Sequence, residues 1–106
     1  MRTYNIAVVG ATGAVGEEIF RILEERDLPI NKLVPLASAR SVGKEISFKG
    51  ENYKVKELTH SVFDEENIEI AFFSAGGSVS AEFASSAAKA GAVVIDNTSH
   101  FRMQKD

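Results

Sequence analysis

The sequence contains no cysteine. Disulfides, thiolate metal sites and thiol catalysis are therefore excluded from this chain. Its two histidines, His60 and His100, show no paired spacing, so no metal centre is expected. Each is expected to be a surface or loop histidine rather than a catalytic base. An excess of positive charge is also missing: 12 Lys and Arg stand against 15 Asp and Glu, a formal net charge of −3. Phosphate neutralisation needs clustered cations, so a strongly basic nucleic-acid binder is excluded and no nucleic-acid partner is expected. No apolar run approaches the roughly 20 residues of a membrane-spanning helix, and no membrane partner is expected. The opening stretch, Met1 to Gly10, reads straight into a strand, without the apolar core and cleavage site of a secretory leader. What remains is one domain's worth of chain: 106 residues, 44% of them apolar, enough for a modest core.

Asn5 to Gly10 is a short apolar run ending in glycine, the pattern of a strand buried on both faces. Val15, Ile19, Ile22 and Leu23 then mark one face of a helix. Glu17 and Glu18 in its first turn and Arg26 in its last suit the helix dipole, and Asp27-Leu28-Pro29 ends it. A second strand is expected over 33–38, although Pro35 has no N–H for a ladder. Glu45 to Phe48 and Tyr53 to Lys56 alternate on either side of Lys49-Gly50-Glu51-Asn52. They predict a hairpin with a lysine-rich, solvated face. A helical turn over 61–66, a strand over 68–74, a helix over 78–90 stopped by Gly91, and a buried strand over 92–96 follow. Strands alternating with helices predict an α/β fold: a Rossmann-like, doubly wound, mainly parallel sheet with an inserted β-hairpin. Val93, Val94 and Ile95 fall on its open edge, so the isolated chain is expected to be marginal or to associate there.

The strongest functional signal is Gly10-Ala11-Thr12-Gly13-Ala14-Val15-Gly16. This G-x-x-G-x-x-G spacing follows a strand and opens a helix, the context that a dinucleotide-binding loop requires. Gly10 permits the tight turn, Gly13 lets backbone approach a pyrophosphate, and Gly16 lets the helix pack on the sheet. N–H groups at the helix N-terminus then face the phosphates. NAD enzymes place a carboxylate at the end of the second strand, on the ribose 2′-hydroxyl. Here that strand ends Leu36-Ala37-Ser38-Ala39-Arg40-Ser41. A guanidinium flanked by the Ser38 and Ser41 hydroxyls suits a 2′-phosphate, which favours NADP. The plainer alternative makes Arg40 a solvated loop charge.

Two later loops also follow strand ends, where doubly wound sheets bind ligands. Ser74-Ala75-Gly76-Gly77-Ser78 offers close backbone approach at Gly76, or simply capping by Ser78 or Ser80. Asp96-Asn97-Thr98-Ser99-His100-Phe101-Arg102 is dense in hydrogen-bonding groups, and Arg102 suits a phosphate or carboxylate.

These four motifs, in this order, resemble the N-terminal part of bacterial aspartate-β-semialdehyde dehydrogenases, and the resemblance runs through the whole chain. It implies an enzyme that interconverts aspartyl-4-phosphate and aspartate semialdehyde with NADPH, in the biosynthesis of lysine, methionine and threonine. In that family a cysteine attacks the acyl phosphate, phosphate leaves, hydride reduces the thioester, and a histidine acts as acid and base. By matching position, Thr12, Gly13, Ala14 and Val15 line the pyrophosphate, and Arg40 and Ser41 hold the 2′-phosphate. Arg102, likewise by matching position, binds the substrate phosphate, while Ser74 and Gly76 stay candidate cofactor contacts from their loop alone. A cytoplasmic homo-oligomer is implied. The family's nucleophilic cysteine lies beyond the motif containing Arg102, as do the catalytic histidine and second domain. Residues 1–106 are therefore expected to be the N-terminal dinucleotide-binding domain of something longer, binding nucleotide at most and turning nothing over. Three rivals stay in view, one of them an inactive paralogue that only dimerises. N-acetyl-glutamyl-phosphate reductases share the chemistry but differ around the last loop. Stand-alone nucleotide sensors begin with a similar glycine loop. The Tyr-x-x-x-Lys motif of short-chain dehydrogenase enzymes is absent, because Val8 and Glu57 follow four positions after Tyr4 and Tyr53.

Overall fold

The computed structural model describes residues 3–26, 29–74 and 77–96. In chain order the elements are β1 (Tyr4–Val9), α1 (Ala14–Arg26), β2 (Ile30–Ala37), a 3-10 turn (Ala39–Ser41), β3 (Glu45–Phe48) and β4 (Glu51–Lys54). Then come β5 (Lys56–Glu57), α2 (Val62–Glu65), β6 (Ile70–Phe73), α3 (Gly77–Lys89) and β7 (Val93–Asp96). Five strands form a parallel sheet in the order β5-β2-β1-β6-β7, and β3 and β4 form a separate antiparallel pair. The expected Rossmann-like α/β sheet with a hairpin is what the chain adopts. No helix among the described residues is long and apolar enough to cross a membrane.

Alternation along the strands builds two cores. Ala7, Val9, Val34, Leu36, Ala71 and Phe73 point to one face, where Phe63 and Ala87 of the later helices cover them. Ile6, Val8 and Leu33 point to the other, beneath Ile19, Phe20 and Leu23 of α1. The hairpin extends this second layer through Phe48, whose ring lies 6.1 Å from that of Phe20. Helices thus lie on both faces, and strands sandwiched between them read as continuous apolar runs.

Several local expectations are corrected. Val15 does not join the buried face of α1 and is 37% exposed. The buried set is Gly16, Ile19, Phe20 and Leu23, because the helix backbone itself lies against the loop at Gly16. The hairpin turn is tighter than its composition suggests. Only Lys49 and Gly50 turn, both with positive φ (52° and 81°), while Glu51 and Asn52 already pair. Two such residues match the twist of the flanking strands. Lys56 leaves the hairpin altogether and opens β5, a short fifth strand of the main sheet beside Leu36 and Ala37 of β2. The edge strand β7 is only partly covered: Val93 is 61% exposed.

Pro35 sits inside β2 at no cost to the ladder. The Leu36 carbonyl accepts from the Gly10 and Ala11 N–H groups at 2.8 and 3.1 Å, so Leu36 faces β1. Its neighbours face the other way, and the Ala37 carbonyl accepts from Leu58 N–H at 2.8 Å. Pro35 therefore directs its nitrogen toward the β5 side, one residue before that pairing begins.

Candidate nucleotide-binding site

The strand order turns around β1: the chain moves to β2 on one side and later to β6 on the other. Beyond the carboxyl ends of these strands lies the crevice in which such sheets hold ligands. A cleft of about 490 Å³ opens there, with Gly10, Thr12, Gly13, Ser38, Ser74 and Phe83 among its walls.

The glycine loop is fixed by its own backbone. Gly10 turns off β1 with φ 86°, a conformation costly for any residue with a Cβ. Gly13 N–H donates to the Gly10 carbonyl at 3.1 Å, and Glu17 N–H to the Gly13 carbonyl at 3.0 Å, which carries the loop into α1. At Gly16 a Cβ would lie 2.4 Å from the Gly10 carbonyl oxygen and 2.9 Å from that of Ala11, so only glycine lets the helix seat here. At Gly13 a Cβ would meet only that Gly10 oxygen, at 3.6 Å. Gly16 is thus required by packing, whereas Gly13 is bare toward the cleft. The first-turn N–H groups of α1, those of Ala14 and Val15 among them, have no intrahelical acceptor and carry the positive end of the helix dipole.

Ser74 closes the opposite wall. Its hydroxyl lies 2.6 Å from the Val9 carbonyl and 3.2 Å from the Gly10 carbonyl, and its N–H donates to the former at 2.9 Å. With its proton spent on these carbonyls, the oxygen offers a ligand only lone pairs. Ser74 is therefore a strap between β6 and the glycine loop as well as a cleft residue. Ala37, Leu58 and Phe83 complete the lining with an apolar surface beside Ser38.

Of the residues singled out in the sequence, Gly10, Thr12, Gly13, Ser38 and Ser74 meet in this cleft. Ala14 and Val15 form the start of α1 beside it. Arg40 and Ser41 lie on the 3-10 turn that follows β2. Arg40 is exposed and forms no ion pair among the described residues. Gly76 and Arg102, like His100, lie outside the described residues. Leu58 and Phe83 were missed as site residues. Leu58 is an isolated apolar residue in the polar stretch Lys56 to His60, a weak signal, and Phe83 passes for an ordinary core position of its helix.

A semialdehyde dehydrogenase, NAD-binding domain model matches residues 5–106. The chain belongs to this family. It is 66% identical over 101 residues, 95% of its length, to an aspartate-semialdehyde dehydrogenase of Campylobacter jejuni. It is 61% identical over its whole length to one of Helicobacter pylori. It spans only 29% and 30% of those two proteins. Among solved structures, aspartate semialdehyde dehydrogenase II from Vibrio cholerae, complexed with ASA, matches with TM-score 0.86 and 48% identity, over 95% of this chain and 33% of that one. A Rex-family repressor matches with TM-score 0.70 at 14% identity, a likeness of fold alone.

Proposed function

We propose that the chain is the NADP-binding domain, residues 1–106, of an aspartate-semialdehyde dehydrogenase. The observation that carries this reading is the cleft at the strand-order switch. Its walls combine a glycine loop opening a helix, the hydroxyls of Thr12, Ser38 and Ser74, and an apolar flank. The donor set fits a dinucleotide. The first turn of α1, with Thr12, Gly13, Ala14 and Val15, holds the pyrophosphate, and the bare Cα of Gly13 allows it close. Ser38, Arg40 and Ser41 at the end of β2 hold the 2′-phosphate, and no carboxylate stands there to take a 2′-hydroxyl. The adenine then lies against Ala37, Leu58 and Phe83. Ser74 and Gly76 border the nicotinamide side. When bound, the cofactor supplies the hydride.

In the whole enzyme this reading assigns reductive dephosphorylation of aspartyl-4-phosphate to aspartate semialdehyde, as in lysine, methionine and threonine biosynthesis. Arg102 binds the phosphate group of the substrate and neutralises the charge that builds as it departs. Turnover requires the regions of the relatives that this chain does not cover, and the cytoplasmic, homo-oligomeric state is part of the same proposal.

Calorimetric titration with NADPH and NADH tests the reading. NADPH is expected to bind more tightly. Arg40→Ala should cut that preference by about tenfold to a hundredfold, the worth of a charge-assisted hydrogen bond. Equal affinity for both cofactors in the unaltered chain would overturn the NADP assignment, and binding of neither would overturn the nucleotide site.

A further inference from the structure

His60 lies between β5 and α2, two residues beyond Leu58. Its ring stacks on Phe83 of α3, with 4.4 Å between centroids and 24° between planes. Its Nδ1 is 2.6 Å from Ser86 Oγ, and its Nε2 is 3.4 Å from Glu82 Oε2. Ser86 stands three residues from Phe83 and four from Glu82, so the three share one side of the helix. One neutral tautomer satisfies both contacts: the Ser86 hydroxyl donates to Nδ1, and the Nε2 proton is given to Glu82. The composition is that of a nucleophile set, but the geometry is not. Ser86 lies well inside α3, where the backbone N–H groups are committed to the helix and cannot form an oxyanion hole.

Phe83 and Leu58 both line the cleft, and His60 does not. Leu58 N–H anchors its segment to the Ala37 carbonyl at the end of β2, and the His60 ring and its hydrogen bonds anchor the same segment to α3. His60 therefore joins the two elements that supply the apolar flank.

We infer that His60 is a positioning residue of the cleft, holding the Phe83 ring and the Leu58 segment at the separation that admits a flat base. The inference rests on the nucleotide reading given above, with the base against Leu58 and Phe83. Its physical content is preorganisation. A wall already fixed spares the ligand the entropy of ordering a free aromatic side chain and a free segment.

The test uses the full chain as wild type, His60→Ala and His60→Phe, titrated with NADPH and with 2′,5′-ADP, which carries the base and the 2′-phosphate. His60→Ala should raise Kd for both ligands by about threefold to tenfold, the range of one aromatic pair. His60→Phe keeps the stack without the hydrogen bonds and should recover most of the loss. An unchanged Kd in His60→Ala overturns the inference, as does a His60→Phe protein no tighter than His60→Ala. A wild-type chain that binds neither ligand overturns the nucleotide reading itself, and the positioning role with it.

Discussion

The two ends of the central strands are held by different chemistry. At their N-terminal ends side chains satisfy one another and the backbone. Asn5 Nδ2 donates to the Asn67 carbonyl at 2.9 Å, Asn31 Nδ2 donates to Asn5 Oδ1 at 2.8 Å, and Asn5 N–H donates to Glu69 Oε1 at 2.9 Å. At their C-terminal ends the shape is set by main chain and glycine: the Leu36 carbonyl takes two N–H groups of the loop, and Ser74 straps the Val9 and Gly10 carbonyls. Thr12, Ser38 and Arg40 there stay exposed. One end has spent its polar groups on holding the sheet together. The other fixes its backbone and keeps side chains and first-turn N–H groups for something else, which is the division expected between scaffold and binding loops.

The largest effect separates two glycines of the same loop. Gly16→Ala gains helix propensity but drives a Cβ to 2.4 Å from the Gly10 carbonyl oxygen, a backbone atom that cannot swing aside. Thermal or denaturant unfolding should show a loss of about 2–3 kcal/mol, the cost of overpacking a tight contact. Gly13→Ala meets only an ordinary 3.6 Å contact and should leave stability nearly unchanged while weakening nucleotide binding, as calorimetry would show. Equal destabilisation by both variants would break the distinction between a packing glycine and a cleft glycine.

That pair also marks what the sequence could disclose. The three glycines were legible because each answers a local demand: a positive φ, a bare approach, a helix seated on its own loop. The parallel sheet was legible because buried strands read as unbroken apolar runs. What escaped depended on tertiary partners. A two-residue strand such as β5 has no periodicity, and it exists only because β2 offers an edge to it. Val15 was misassigned because an apolar count ignores glycine, and at Gly16 it is bare backbone that packs. Leu58, His60 and Phe83 lie on two elements whose meeting no local pattern records. Arg40 was legible as a cation standing where NAD enzymes carry a carboxylate, while the 3-10 turn that carries it follows from the chain leaving β2.

Smaller effects compare the two ends directly. Ser74→Ala removes a part-buried hydroxyl from two carbonyls and should cost about 1 kcal/mol of unfolding free energy, together with some nucleotide affinity. Asn5→Ala removes two exposed hydrogen bonds, to the Asn67 carbonyl and from the Asn31 amide, both of which water can replace, and should cost about 1 kcal/mol or less with no change in nucleotide affinity. If Asn5→Ala weakened binding as much as Ser74→Ala, the ends would be coupled and the division of labour would fail.

The smallest effect concerns a contact that belongs to neither end's network. Glu66 accepts from Lys56 Nζ of β5 at 2.5 Å and from Lys32 Nζ of β2 at 2.9 Å, so it clips the short edge strand to its neighbour. The hydrogen bond from Lys56, then that from Lys32, holds its carboxyl below the ordinary value of 4.5, against an opposing push from burial. A carboxyl lowered in the folded state adds stability at pH values above its unfolded value, and that contribution fades as pH falls through the folded value. Both lysines are substantially exposed, so the contribution should be about 1 kcal/mol or less and should shrink with added salt. Glu66→Gln should therefore be slightly less stable than wild type at neutral pH, and the two unfolding curves should converge as pH drops below 4.5. A gap that persisted undiminished in acid would show that Glu66 acts through packing rather than charge.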